Sequence, residues 1–267
     1  MATHGNLFVK DNLKNIFNSQ MREINLANYL FYTYFESGRE YFVYKDLTFE
    51  RSHTNAKDFP FLESLLRFIY LEIWPMKNLF KQVDDAVLNF YRERDFESRN
   101  IVMTTLEKLT KKHIYFKFLF LDWQSRFHRF QQNPNQDAQK ILPHKQLRHI
   151  PNDVDTLQKQ TMRLFQDVLD IDDGKKKPVQ EKLQAYLDKE KTHSLYAYQF
   201  KPISTSYERT RLGAFAEVLP PTSLSGLVEF SLRECVKREQ RMRICSYCGK
   251  YFAIPPAQYS RVLQSHC

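Results

Sequence analysis

From Leu62 to Gln131 the apolar residues recur at the three-and-four spacing of an amphipathic helix, and a single proline cuts across them early on. The pattern falls into two stretches, Leu62 to about Tyr91 and about Glu97 to Gln131. The second carries Ile101, Leu106, Leu109, Ile114, Phe118, Leu121 and Phe127. Pro75 has no backbone N–H and fixes its own φ, so it should kink or split the first stretch. Asp58-Phe59-Pro60 reads as the helix start, with an acidic cap and a proline in the first turn. A further periodic stretch runs from about Asp11 to Glu36, through Leu13, Ile16, Phe17, Met21, Ile24, Ala27, Leu30, Phe31 and Tyr34. Gly38 would end it, because glycine accepts the left-handed conformation of helix stops. Three such stretches predict an antiparallel helical core.

The remainder is shorter and more broken. Tyr41–Glu50 alternates and is rich in aromatic and β-branched residues, which predicts a strand, and a charged loop follows through Lys57. Asn133–Pro151, with Pro134, Pro143 and Pro151, reads as a long loop. Helices are expected over about Asp153–Asp170, Pro178–Glu190 and Ser223–Met242. Tyr196–Ile203 and Arg211–Leu219 read as short strands or extended connectors. The expected fold is therefore mainly α: a multi-helix body over residues 1–221 with a few short strands, then a basic helix and a small zinc-knuckle or ribbon module over 222–267. The 22 Phe and 15 Tyr supply core material and exclude disorder for most of the chain. Only 6 Gly in 267 residues argue against a glycine-rich phosphate loop.

The most apolar run, Ile114 to Leu121, is short and contains Lys117, so no membrane span is expected. The start of the chain lacks the basic and apolar regions of a signal peptide. Four cysteines, none before Cys235, are too clustered for a secreted disulfide framework, and a reducing cytoplasm is the expectation.

The sharpest local signal is Cys245-Ser246-Tyr247-Cys248-Gly249-Lys250-Tyr251-Phe252. Two cysteines at this spacing, followed by glycine and a basic residue, suit a knuckle whose turn aims both thiolates at one zinc ion. The alternatives are a reduced, buried cysteine pair and a redox motif, and the latter wants a βαβ context that the flanking residues do not offer. Cys267, further on, is the candidate third ligand. A closed structural site needs four, so either His266 completes it or the fourth ligand lies beyond residue 267. An open catalytic position would need a general base, and the ribbon segment has no Asp or Glu.

Thr222 to Phe230, the basic helix, and Arg243 to Phe252 together resemble the C-terminal part of an uncharacterised family found in Gram-positive anaerobes of the Firmicutes and their mobile elements. That resemblance covers roughly the last fifth of the chain. It implies a helical body, unknown function and a Cys-x-x-Cys-Gly-Lys-Tyr-Phe zinc motif. In that family a Tyr-Cys and then a further cysteine follow. Here Cys267 would fill the first, after His266 rather than Tyr, and the further cysteine is absent.

Arg233, Lys237 and Arg241 are spaced four apart, so one helix would align them as a basic stripe, with Arg238, Arg243 and Lys250 nearby. The net charge of +9 and this stripe beside a zinc module point to phosphate contacts with DNA or RNA through the backbone. The competing reading is a solvated helix face partly neutralised by Glu234 and Glu239. Asp170 to Gly174 lacks the ligand alternation of a calcium loop, Lys175-Lys176-Lys177 reads as a solvated loop, and His144 and His149 share no helical face. Trp74 and Trp123 read as core. No hydrolase, zincin, P-loop or dinucleotide signature is present, and no catalytic residue is singled out. The expected function is a zinc-containing nucleic-acid-binding accessory or regulatory protein. The alternative is a protein–protein interaction module with a purely structural zinc site.

Overall fold

The computed structural model describes residues 30–47, 52–132, 137–141, 146–171, 177–190, 197–210 and 213–254. The periodic stretch 11–29, His144, residues 172–176, His266 and Cys267 lie outside these residues. A five-stranded antiparallel sheet leads the described chain. Its strands are β1 (Phe31–Glu36), β2 (Arg39–Leu47), β3 (Ser52–Pro60), β4 (Ser206–Arg209) and β5 (Phe215–Leu219), in the order β3-β2-β1-β5-β4.

This sheet corrects two helical expectations. Residues 31–36 form a strand, because Phe-Tyr-Thr-Tyr-Phe is aromatic and β-branched and both of its faces are covered. Phe31 and Phe35 enter the main core, while Tyr32 and Tyr34 join Val43 and Val218 on the opposite face. Ser37 (φ 50°) and Gly38 (φ 73°) are the two left-handed residues of a tight hairpin, not a helix stop. The expected loop and helix start at Lys57–Pro60 are also strand, paired with β2 from Leu47↔Ser52 to Arg39↔Pro60. Asp58 caps nothing and instead accepts from Arg39 Nε at 2.5 Å. Polar residues and a terminal proline suit β3 because it is an edge strand.

The helices follow largely where the periodicity places them. They are α1 (Glu63–Ile69), α2 (Lys77–Glu93), α3 (Phe96–Lys112), α4 (Lys117–Gln132), the one-turn α5 (Ala138–Ile141), α6 (Ile150–Leu164), α7 (Val179–Glu190) and α8 (Leu224–Lys237). Pro75 sits in a 3-10 turn between α1 and α2, as its missing N–H requires. The second long stretch also breaks, at His113, where a 3-10 turn over Ile114–Phe116 buries three side chains. Asp95 caps α3 through Ser98 N at 2.5 Å, and Ser223 caps α8 through Gly226 N at 3.0 Å. The α6 helix runs into one π-turn, Phe165–Leu169, and Trp123 is buried while Trp74 is half exposed.

Buried Asp84 on α2 ties the start of α6 to the body. It accepts from Leu147 N, Arg148 N and Arg148 Nε at 2.7–3.0 Å. Residues 222–254 do not pack as a unit of their own. Leu227, Val228, Phe230, Leu232 and Cys235 of α8, with Met242 and Tyr251, belong to the same core cluster as Phe42, Phe68 and Phe116. Among the described residues no helix is long and apolar enough to cross a membrane.

Candidate metal centre and basic surface

The last helix stops five residues short of its expected end. Arg238 caps it, Glu239 turns left-handed (φ 49°), and Gln240 N donates to Cys235 O at 2.9 Å. The chain then enters a two-stranded hairpin, β6 (Arg241–Ile244) and β7 (Tyr251–Ile254), paired from Arg241↔Ile254 to Ile244↔Tyr251. Its tip is the Cys245–Gly249 turn. Cys245 N donates to Lys250 O and Gly249 N to Cys245 O, both at 2.9 Å, and Gly249 has φ 68°. A Cβ at 249 would meet no atom, so its conformation alone requires glycine there.

Body residues hold the hairpin in place. Tyr251 N donates to Tyr70 Oη at 2.6 Å, Tyr251 Oη donates to Asp170 Oδ2 at 2.8 Å, and the Tyr251 ring meets Phe165 edge-on at 5.6 Å. Burial, then the Asp170 carboxylate, keep the Tyr251 hydroxyl protonated well beyond its ordinary range. Ile171 N donates to Met242 O at 3.0 Å, and Gln240 Nε2 donates to Ile254 O at 2.8 Å. Glu239 reaches away to accept Val179 N at 2.7 Å, satisfying one open donor at the start of α7.

Cys245 is buried and Cys248 exposed at this tip, and neither is in a disulfide. Two thiols at one tight turn are half of the four ligands that a closed structural zinc site needs. Among the described residues, no group of three or more His, Cys, Asp or Glu is placed to hold a metal ion. The other expected ligands, His266 and Cys267, lie outside the described residues. Cys235 is buried on α8, where burial first and then Glu234 and Glu40 push its thiol up, which suits a neutral core side chain.

The expected basic stripe is divided by the end of α8: Arg233, Lys237 and Arg238 are on or at the end of the helix, whereas Arg241 and Arg243 are on β6. Each helical cation faces carboxylates. Arg233 Nε pairs with Glu229 at 2.9 Å and its guanidinium donates to Lys201 O; Lys237 pairs with Glu234 at 3.0 Å and with Glu217; Arg238 pairs with Glu234 at 3.0 Å and stacks over Phe61. Burial would lower the Lys237 pKa, yet the bonds to Glu217 and Glu234 outweigh it and leave the ammonium above its ordinary value. Three cations meet Glu217, Glu229 and Glu234, so this face is close to neutral. Arg241 donates to Lys177 O at 2.7 Å, and Lys250 lies over the Tyr70 ring at 5.3 Å.

A cluster of buried polar groups went unmarked in the sequence. Glu40 on β2 is 1% exposed and accepts from Ser64 Oγ of α1. Tyr115 Oη lies 3.5 Å from Ser64 Oγ and 3.2 Å from Ser231 Oγ of α8. Burial pushes the Glu40 carboxyl up to about 8, against the Ser64 hydrogen bond, so the group is protonated at neutral pH. Burial lowers His113 to about 4. Its Nδ1 accepts from Tyr115 N at 3.1 Å, which leaves Nε2–H to donate to Ser64 O at 3.0 Å. Both ring nitrogens are thus committed to backbone, and His113 is a packing residue rather than a base. Only the alternation of β2, which turns residue 40 inward, could have flagged Glu40. Comparison with protein-family models, curated proteins and solved structures gives no match for this chain.

Proposed function

We propose that this chain is a zinc-containing nucleic-acid-binding accessory or regulatory protein, with the metal in a structural role at the Cys245–Cys248 turn. The observation that carries the metal reading is the tip of the β6–β7 hairpin. A left-handed glycine follows the second cysteine there, and paired backbone bonds close the turn that carries both cysteines. Cys267 and His266 are the proposed partners that complete the ion's shell. The resemblance of residues 222–252 to the zinc-motif family supports the same assignment. The net charge of +9 supports attraction to a polyanion.

Metal analysis of the full chain tests the first part. About one zinc per chain is expected, with loss in Cys248→Ser. Equal zinc in both proteins, or none in either, removes the assignment. A second reading, a protein-interaction module with structural zinc, is favoured by the exposed aromatics. Tyr247 at the knuckle tip is 90% exposed, and Tyr207 and Phe215 stand out on the β4–β5 edge. Alanine at Tyr207 and Phe215 should weaken partner capture under that reading and leave oligonucleotide binding intact.

A further inference from the structure

We infer that the phosphodiester backbone of a nucleic acid is held in the cleft between β3, α1 and the C-terminal end of α3, rather than on the basic face of α8. This rests on the nucleic-acid reading above and names the surface that performs it. The cleft has a volume of about 480 Å³, and its walls include Lys57 of β3, Arg67 of α1 and Lys111 and Lys112 of α3. Its floor is built from Ser64 and His113, both more than nine-tenths buried. The Ser64 hydroxyl and both His113 ring nitrogens are held by Glu40, Tyr115 and backbone. The floor is therefore rigid and neutral, and the charge lies in the walls.

The walls carry four cations against one carboxylate, Asp58, which is already paired with Arg39. Glu63 neutralises Arg67, and Glu107 neutralises Lys111 at 3.3 Å. Lys57 and Lys112 have no carboxylate partner among the described residues, in contrast to every cation of α8. Lys111 and Lys112 also complement the carbonyl end of α3, which accounts for a basic last turn. It does not account for Lys57 and Arg67, which reach the same cleft from a strand and from another helix.

The uncompensated cations Lys57 and Lys112 reach the cleft from two different elements, and a walled cleft with net positive charge concentrates its field on an anion. The occupant needs repeated negative charge and no buried apolar body, because the lining is mostly polar. Phosphodiesters meet both needs: Lys57 and Lys112 neutralise adjacent phosphates as point charges, and the planar guanidinium of Arg67 can bridge phosphate oxygens. Arg67 also stacks on Phe59, another residue of the cleft lining, with Cζ 5.8 Å from the ring centroid.

The test is fluorescence anisotropy with a labelled single-stranded oligonucleotide across a salt series, on the full chain and two double variants. Lys57→Gln with Lys112→Gln empties the cleft of its unpaired charge. Arg233→Gln with Lys237→Gln changes net charge equally on the α8 face. The cleft variant should lose at least tenfold in affinity, and its log–log salt slope should flatten by about 1.4 for two lost contacts. The α8 variant should stay within about threefold, and Lys57→Arg with Lys112→Arg should restore binding. Equal losses in both Gln variants mean attraction by net charge alone and overturn the cleft, while nucleic-acid binding itself survives. Binding of pyrophosphate or a free nucleotide in the cleft, with the oligonucleotide unbound, also overturns the proposal. No oligonucleotide binding at low salt removes the nucleic-acid reading altogether.

Discussion

Replacing Glu40 by Gln should change how the stability of the protein depends on pH. The carboxyl has a native pKa of about 8 against an ordinary 4.5, because burial disfavours its charge. Between those values the native state holds a proton that the unfolded chain has released, so native stability falls as pH rises. The slope is about 1.4 kcal/mol per pH unit, or on the order of 5 kcal/mol across the window. His113 acts in the opposite sense. Its native pKa of about 4 lies below the ordinary 6.5, so from pH 4 to 6.5 the unfolded chain binds the extra proton and stability rises with pH. The two slopes cancel between about pH 4.5 and 6.5, and only Glu40 acts above that, giving a plateau and then a fall of about 2 kcal/mol by pH 8. Glu40→Gln removes one of the two opposing terms. Urea unfolding of both proteins from pH 5 to 8 should show the variant gaining on the native protein by about 1.4 kcal/mol per unit. A stability difference that stays constant over that range would mean that Glu40 is ionised in the folded protein, and the account of the buried cluster would fall.

Two further outcomes follow from single contacts. Asp84→Ala strands the buried Leu147 N–H and unpairs Arg148, and should cost about 2–4 kcal/mol in chemical denaturation, with the loss tempered by the partial exposure of Arg148. Tyr70→Phe removes the acceptor for Tyr251 N and should cost about 1 kcal/mol, with faster amide exchange confined to the β6–β7 hairpin; protection unchanged at residue 251 would refute this anchor.

Helix periodicity is a local property, and the elements that depend on it were legible in the sequence. The α2, α3, α4 and α7 helices lie close to where apolar spacing places them, and Pro75 breaks the chain as its chemistry demands. The tight turn at Cys245–Gly249 was legible for the same reason, since a short run ending in glycine specifies its own backbone geometry. The main sheet was not. Phe31–Glu36 satisfies a helical template as well as a strand one, and only pairing with β2 and β5 decides between them. The segment up to Lys57 looks like a loop and Asp58–Pro60 like a helix start, because an edge strand needs no alternation of burial to be held by nine paired residues. The end of α8 was equally hidden. Glu239 turns left-handed with no glycine to mark it, and its carboxylate meets Val179 from a distant helix. Residue spacing established which cations could share a face. The same spacing sets Glu229 and Glu234 one turn from Arg233, Lys237 and Arg238, so those local pairs were legible too. The pairing of Lys237 with Glu217 of β5 was not, because an ion pair between distant elements is a product of the packed chain and leaves no trace in local sequence.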